Sequence, residues 1–125
     1  MTIKELKILA EQGEGYTLEF KEKLGKKFSV EVVAFANSMG GKILIGVDDD
    51  GNIIGTDTSN NQRANIQNQI SQIEPRINVK IEVVDNVIVV NVPEGDDKPY
   101  SSSDGYYLRV VLCVKRWIGM KSENI

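Results

Sequence analysis

Acidic residues at two places along the chain have the chemistry of a divalent-metal site. Glu19 alternates with the apolar residues of a predicted strand, and Asp48 and Asp49 follow another predicted strand at 42–47. If the two strands are neighbours, these carboxylates and Glu14 converge, and hard cations such as Mg²⁺ or Mn²⁺ prefer oxygen ligands. A metal held there would activate water and neutralise a scissile phosphate, which is the basis of a nuclease hypothesis.

The same carboxylates also fit a purely structural interpretation. The acidic run that begins at Asp48 and ends in Gly51 is typical of a solvated turn. Glu19 could simply pair with an exposed base such as Lys21. Asn37, at the predicted end of a helix beside the acidic strand, is a candidate for orienting one of the carboxylates. The chain contains no histidine, so the commonest general base is missing.

Basic residues suggest a second chemistry, the binding of nucleic-acid phosphates. Four lysines lie at and just after the end of the first predicted strand: Lys21, Lys23, Lys26 and Lys27. Each could add salt-dependent affinity without reading the base sequence. A second candidate set consists of Lys98, Tyr100, Tyr106, Tyr107 and Arg109. Aromatic side chains beside basic ones can stack on bases, and Tyr107 and Arg109 are the candidates for nucleic-acid contact. Both sets also fit ordinary solvated loops and strands.

The composition limits which of these functions can be general properties of the chain. At 125 residues the length predicts one domain, and the net charge of -3 gives no overall basic footprint. Nucleic-acid binding would therefore need a local patch. A single cysteine, Cys113, excludes an intrachain disulfide. The start of the chain lacks an apolar signal region and the apolar runs are short, so we expect a cytoplasmic protein without membrane contact.

Periodicity predicts the elements that position these residues. The capping-box spacing of Thr2 and Glu5 predicts a helix up to about residue 12. Ser29 is expected to cap a second helix, which ends at Gly40, and Ser59 opens a third. Apolar runs predict strands at residues 16–21, 42–47, 53–54, 77–83, 87–92 and 106–111. The expected fold is α+β, with a mixed, mostly antiparallel sheet of about six strands and about three helices.

The pair Gly40-Gly41 invites comparison with a phosphate-binding loop. Such loops precede a helix, whereas this pair follows one, and the negative end of the helix dipole disfavours phosphate. We therefore expect a helix stop in which a glycine adopts a positive φ.

Several of these segments together resemble the Schlafen AlbA-like domain family. The resemblance rests on Glu19-Phe20-Lys21, on Ala34-Phe35-Ala36-Asn37-Ser38-Met39-Gly40-Gly41, on Gly46-Val47-Asp48-Asp49, on Lys98-Pro99-Tyr100 and on Tyr106-Tyr107-Leu108-Arg109-Val110. It covers about residues 5–111. The expected domain is therefore 1–111, and from Val111 onward the sequence departs from the family pattern, leaving 112–125 as a divergent tail.

The resemblance implies a nucleic-acid-binding regulatory domain of the transcriptional-regulator type. Phosphate contacts would come from the lysine set and Arg109, to DNA or RNA. In eukaryotic relatives, related positions form a metal-dependent ribonuclease site, which here would fall on Glu14, Glu19 and either Asp48 or Asp49. Some relatives are described as ATP-binding, so a nucleotide-binding or protein-interaction module is a third alternative. Exposed sheet edges would also permit a homodimer.

Overall fold

The computed structural model describes residues 1–110 and the backbone of residues 113–116. The helices are α1 (Ile3–Gln12), α2 (Phe28–Ala36) and α3 (Asn60–Ile70). The strands are β1 (Leu18–Lys21), β2 (Gly41–Ile45), β3 (Lys80–Val84), β4 (Val87–Val92), β5 (Ser101–Ser102), β6 (Gly105–Val110) and β7 (Cys113–Arg116). The predicted α+β class is confirmed. Apart from β7, the predicted tail at 112–125 lies outside the described residues.

The strands form two sheets rather than a single sheet of about six strands. Four strands have the order β1-β2-β4-β3, in which β1 and β2 are parallel and the other pairs are antiparallel. The remaining strands form an antiparallel sheet with the order β5-β6-β7. The later strands cannot extend β4, because β2 and β3 already occupy both of its edges. The predicted mixed and mostly antiparallel character is confirmed.

Local capping signals set the starts of two helices but not of the third. Thr2 and Glu5 form the predicted capping box of α1, and the Ser59 side chain caps α3 by accepting from the amide of Gln62. The start of α2 differs from the prediction. Its N-cap residue is Lys27, which makes no side-chain cap, and Ser29 lies inside the helix and is buried. Helix α2 therefore begins with first-turn amides that no side chain caps.

The four-stranded sheet is packed on both faces. On one face, Ile43 and Val90 pack in a cluster with α2 and α3. On the other face, Leu44 and Val89 pack in a cluster with Leu6 and its neighbours from α1. Residues that alternate along β2 and β4 are consequently buried on both sides. No described helix has the length and apolar character that a bilayer crossing requires.

The glycine pair after α2 ends the helix as expected. The amide of Gly40 donates to the carbonyl of Phe35 at 2.8 Å, and Gly40 has a φ of +74°. A Cβ atom at Gly40 would lie 2.6 Å from the backbone nitrogen of Glu94. A Cβ atom at Gly41 would lie 2.4 Å from the carbonyl oxygen of Thr17. These positions are filled by the protein's own backbone, which supports a structural role for the pair.

Candidate nucleic-acid interface

A hollow of about 330 Å³ lies between the end of β1 and the start of α2. All four lysines of the predicted set line it, and the complete lining is Lys21, Lys23, Gly25, Lys26, Lys27, Phe28 and Glu31. The structure thus brings the lysine set around one space. We call this space the lysine hollow.

The course of the loop after β1 and a hydrogen bond from α3 shape the lysine hollow. Strand β1 ends at Lys21, and the following loop crosses to the uncapped start of α2 at Lys27. The Nε2 atom of Gln69, on α3, donates to the carbonyl of Gly25 at 3.1 Å and ties the loop to the helix layer. The first turn of a helix carries partial positive charge, so the helix start adds to the field of the lysines.

Among the described lining residues of the lysine hollow, one is a carboxylate, Glu31. The Oε2 atom of Glu31 is 3.3 Å from Nζ of Lys21, while its Oε1 atom is buried without a hydrogen-bond partner. Lys23, Lys26 and Lys27 are exposed, so three ammonium groups can reach a ligand. Sequence analysis did not identify Glu31 as part of this site, because its pairing with Lys21 joins a helix to a strand.

The predicted acidic set is divided between two places. The Oε2 atom of Glu14 accepts from the amide of Phe20 at 2.9 Å, next to Glu19. Asp48 instead closes its own turn, where its side chain accepts from the amides of Asp50 and Asn52 at 3.0 and 2.9 Å. Hydrogen bonds from Asn52, followed by the one from Asp50, lower the pKa of Asp48.

These positions do not fit the predicted metal site. Glu19 is level with Ile43 in the middle of β2, whereas Asp48 lies beyond the end of that strand. Asp49 is exposed in the same turn. Within residues 1–110 no group of three or more histidine, cysteine, aspartate or glutamate residues is arranged to hold a metal ion. The metal hypothesis for Glu14, Glu19 and Asp48 therefore lacks the geometry it needs.

Arg109 occupies the place beside Glu19. Its side chain is fully buried, and Nη1 lies 2.8 Å from Oε1 of Glu19 in an ion pair whose N–H direction is poorly aligned for a hydrogen bond. Nε donates to the carbonyl of Tyr16 at 2.9 Å, and Nη2 donates to the carbonyls of Gly15 and Leu18 at 2.7 and 3.2 Å. A guanidinium held in this way is not exposed, so the predicted phosphate contact of Arg109 does not fit its position.

Burial gives Glu19 an unusual titration. Loss of solvent, followed by hydrogen bonding and repulsion from Glu14, raises the pKa of Glu19 to about 7, and Arg109 only partly opposes this. The carboxyl group of Glu14 therefore disfavours the charged form of Glu19, although Glu19 is paired with Arg109.

Two further predicted residues brace the fold instead of facing the lysine hollow. The Nδ2 atom of Asn37 donates to the carbonyls of Tyr100 and Tyr107, both at 2.9 Å, and its Oδ1 accepts from the amide of Tyr100 at 2.6 Å. Asn37 thus joins the end of α2 to the second sheet and does not orient a carboxylate. Tyr107 packs partly against the core, and its hydroxyl donates to the carbonyl of Asp104.

Comparisons with known proteins give a family and a fold. The sequence model of the family described as Schlafen, AlbA_2 matches residues 14–112. The DIP2311 protein from Corynebacterium diphtheriae has a similar structure, with a TM-score of 0.61 and 23% identity over 87% of this chain. This chain spans only 25% of that protein.

A second similar structure is an N-terminal domain from Nitrosomonas europaea, whose protein is named as related to the ATP-dependent DNA helicase RecG. Its TM-score is 0.57, with 24% identity over 82% of this chain and 81% of that domain. At these identities the two structures show a shared fold. No curated protein matches the chain.

Proposed function

This chain belongs to the Schlafen AlbA_2 family, and we propose that it is a nucleic-acid-binding domain that holds backbone phosphates at the lysine hollow. The single observation that carries the proposal is the meeting of four lysines around the uncapped start of α2. Lysine ammonium groups attract phosphate as point charges, and the partial positive charge at the start of α2 adds to that attraction.

The same geometry limits what the domain can recognise. Phe28 lines the hollow but is only 2% exposed, so it offers no open ring on which a base could stack. The lysines contact phosphates without reading bases. Binding should therefore depend strongly on salt and weakly on sequence. Because the net charge is -3, nucleic-acid binding has to depend on a local basic patch.

We further propose a regulatory role of the transcriptional-regulator type rather than a catalytic one. The lysine hollow can hold a strand without cleaving it. The metal-dependent nuclease considered above would need a cluster of metal ligands that the described residues do not assemble. The name of the Nitrosomonas europaea protein refers to a DNA helicase, which agrees with a nucleic-acid ligand for this fold.

Fluorescence anisotropy with labelled single-stranded RNA and duplex DNA tests the proposal. The test variant carries Lys23→Gln and Lys26→Gln, while Lys27 is kept because it is the N-cap of α2. The control carries Lys4→Gln and Lys7→Gln, which remove two exposed charges from α1. Each lost phosphate contact reduces the slope of log K against log salt by about 0.7 on single strands and about 0.9 on duplex DNA.

The expected result is weaker binding and a smaller salt slope in the test variant only. Equal weakening by the control variant would mean that the ligand senses overall charge and not the lysine hollow. Failure of the unmodified chain to bind either probe at low salt would also overturn the proposal.

A further inference from the structure

A second cavity, of about 430 Å³, opens at the other end of β1, on the sheet face that α1 covers. Lys21, at the last position of β1, lines the lysine hollow, whereas Leu18, at the first position, lines this cavity. The volume is within the range of small-molecule sites, which begin at about 300 Å³. None of the proposed nucleic-acid contacts lies in its lining.

The floor of the cavity is one row of residues across the sheet. Leu18 is in register with Lys42, Lys42 with Asn91, and Asn91 with Lys80. Strand alternation places Lys42 on the same face as Leu44, which is fully buried in the cluster with α1. Helix α1 thus covers the neighbouring row, which contains Leu44, and leaves the row with Lys42 and Lys80 open. The buried face of the sheet therefore ends at two lysines.

The polar groups of the row are held in place before any ligand binds. The Nζ atom of Lys42 donates to Oδ1 of Asn91 at 2.5 Å, and Nδ2 of Asn91 donates to Oε1 of Glu82 at 3.1 Å. Glu82 fixes the amide from outside the cavity, and the described lining residues include no carboxylate. Glu82 also attracts Lys42, but its carboxylate is paired with the N-terminal amine at 2.8 Å. Lys42 and Lys80 therefore line a cavity whose described wall contains no carboxylate.

We propose that this cavity binds a phosphate monoester of a small organic group. Lys42 and Lys80 stand on strands separated by one intervening strand, about 10 Å apart at their backbones, so their long side chains can converge on one dianion. A carboxylate carries one negative charge instead of two, so the pair of ammonium groups attracts it more weakly. Leu9, Leu18 and Pro93 supply apolar walls for the organic part. Phosphate recognition by ammonium groups and burial of the organic part act together.

A ¹H–¹⁵N NMR titration with phenyl phosphate tests the site, with benzoate as the monoanion that carries the same ring. We expect saturable shifts at the amides of Lys42, Lys80 and Asn91, and affinity about tenfold or more above that for benzoate. Lys42→Gln and Lys80→Gln should each weaken phenyl phosphate about tenfold. Because Lys80 is exposed, its variant is expected to fold even if the Lys42 variant does not.

The matched control is Lys4→Gln, which removes an exposed lysine of α1 that lines neither the cavity nor the lysine hollow and should leave phenyl phosphate binding unchanged. The proposal is overturned if phenyl phosphate does not saturate, if benzoate binds equally well, or if Lys80→Gln binds as tightly as the unmodified chain. Loss of nucleic-acid binding in the Lys23 and Lys26 variant would not bear on this result, so the two proposals fail separately.

Discussion

The Nη1 atom of Arg109, on β6, lies 2.8 Å from the Oε1 atom of Glu19, on β1. The same guanidinium donates to three backbone carbonyls before and within β1 and stacks 4.4 Å from the ring centroid of Phe35. One side chain therefore joins the second sheet to the edge strand of the first and to α2.

Replacing Arg109 with methionine should destabilise the fold severely. Removal of one partner from a buried ion pair costs about 3 to 5 kcal/mol, because the other charge and the carbonyls lose their partner. Arg109→Lys keeps the charge but cannot reproduce the planar contacts, so about 1 to 3 kcal/mol should be lost. Urea unfolding measures both, with exposed Arg76→Met as the control. A loss for Arg109→Met as small as that for the control would contradict this account.

The raised pKa of Glu19 predicts that stability falls as pH rises. Its folded-state pKa of about 7 exceeds the unfolded value of about 4.3, so the folded chain binds more protons between them. The contribution is complete below the unfolded value and is lost as pH rises through about 7. Since the chain has no histidine, no imidazole titration overlaps this window.

Urea midpoints between about pH 5 and about pH 8 test this prediction. Glu19→Gln should flatten the profile, and Glu14→Gln should shift its fall to lower pH by removing the repulsion that raises the pKa of Glu19. The exposed control Glu22→Gln should keep the original shape. A profile that is already flat in the unmodified chain would show that the carboxyl group titrates normally.

The signals that predicted the fold correctly are local. Helix starts were predicted correctly at Thr2 with Glu5 and at Ser59, because these side chains bond to amides within the same turn. The lysine set also came together as expected, since its members are close along the chain. The apolar run at 87–90 in β4 matches a strand that is buried on both faces.

The signals that failed depend on partners far along the chain. Glu19 alternates with buried Leu18 and Phe20, and this pattern indicates that the opposite face of the strand is exposed to solvent. In the structure, Arg109 and Phe35 cover that face. A basic residue beside tyrosines gives no sign in the sequence that it will be buried. The local sequence around Asp48 fits both a turn and a metal site. Only the position of Glu19 relative to Asp48 distinguishes these two roles.

Asn37→Ala should destabilise the fold by about 2 to 3 kcal/mol. The change leaves the buried amide and carbonyl of Tyr100 without their partner and frees the carbonyl of Tyr107. Asn37→Asp should cost at least as much at neutral pH, because a carboxylate oxygen would face two carbonyls. Urea unfolding measures both against Asn68→Ala, an exposed change on α3. Equal stabilities of the Asn37 and Asn68 variants would contradict a bracing role.

Glu31→Gln should strengthen nucleic-acid binding about two- to fivefold at low salt. The change removes the only carboxylate in the described lining of the lysine hollow and releases Lys21 from its ion pair. A freed Lys21 should steepen the salt slope by up to about 0.7 on single strands. Anisotropy titrations measure this, with exposed Glu11→Gln as a charge-matched control. Weaker binding in Glu31→Gln would instead mean that Glu31 positions Lys21 for its phosphate.

Mn²⁺ should leave a bound RNA probe intact. The carboxylates expected to hold a metal are engaged elsewhere, Glu14 with the amide of Phe20, Glu19 with Arg109, and Asp48 in its turn. Denaturing gels of labelled RNA incubated with Mn²⁺ or with EDTA should therefore show the same full-length band. Shortened RNA that requires Mn²⁺ and disappears in Glu19→Gln would contradict this. It would mean that a metal displaces Arg109 from Glu19, and Arg109 would then be the residue that keeps the site closed.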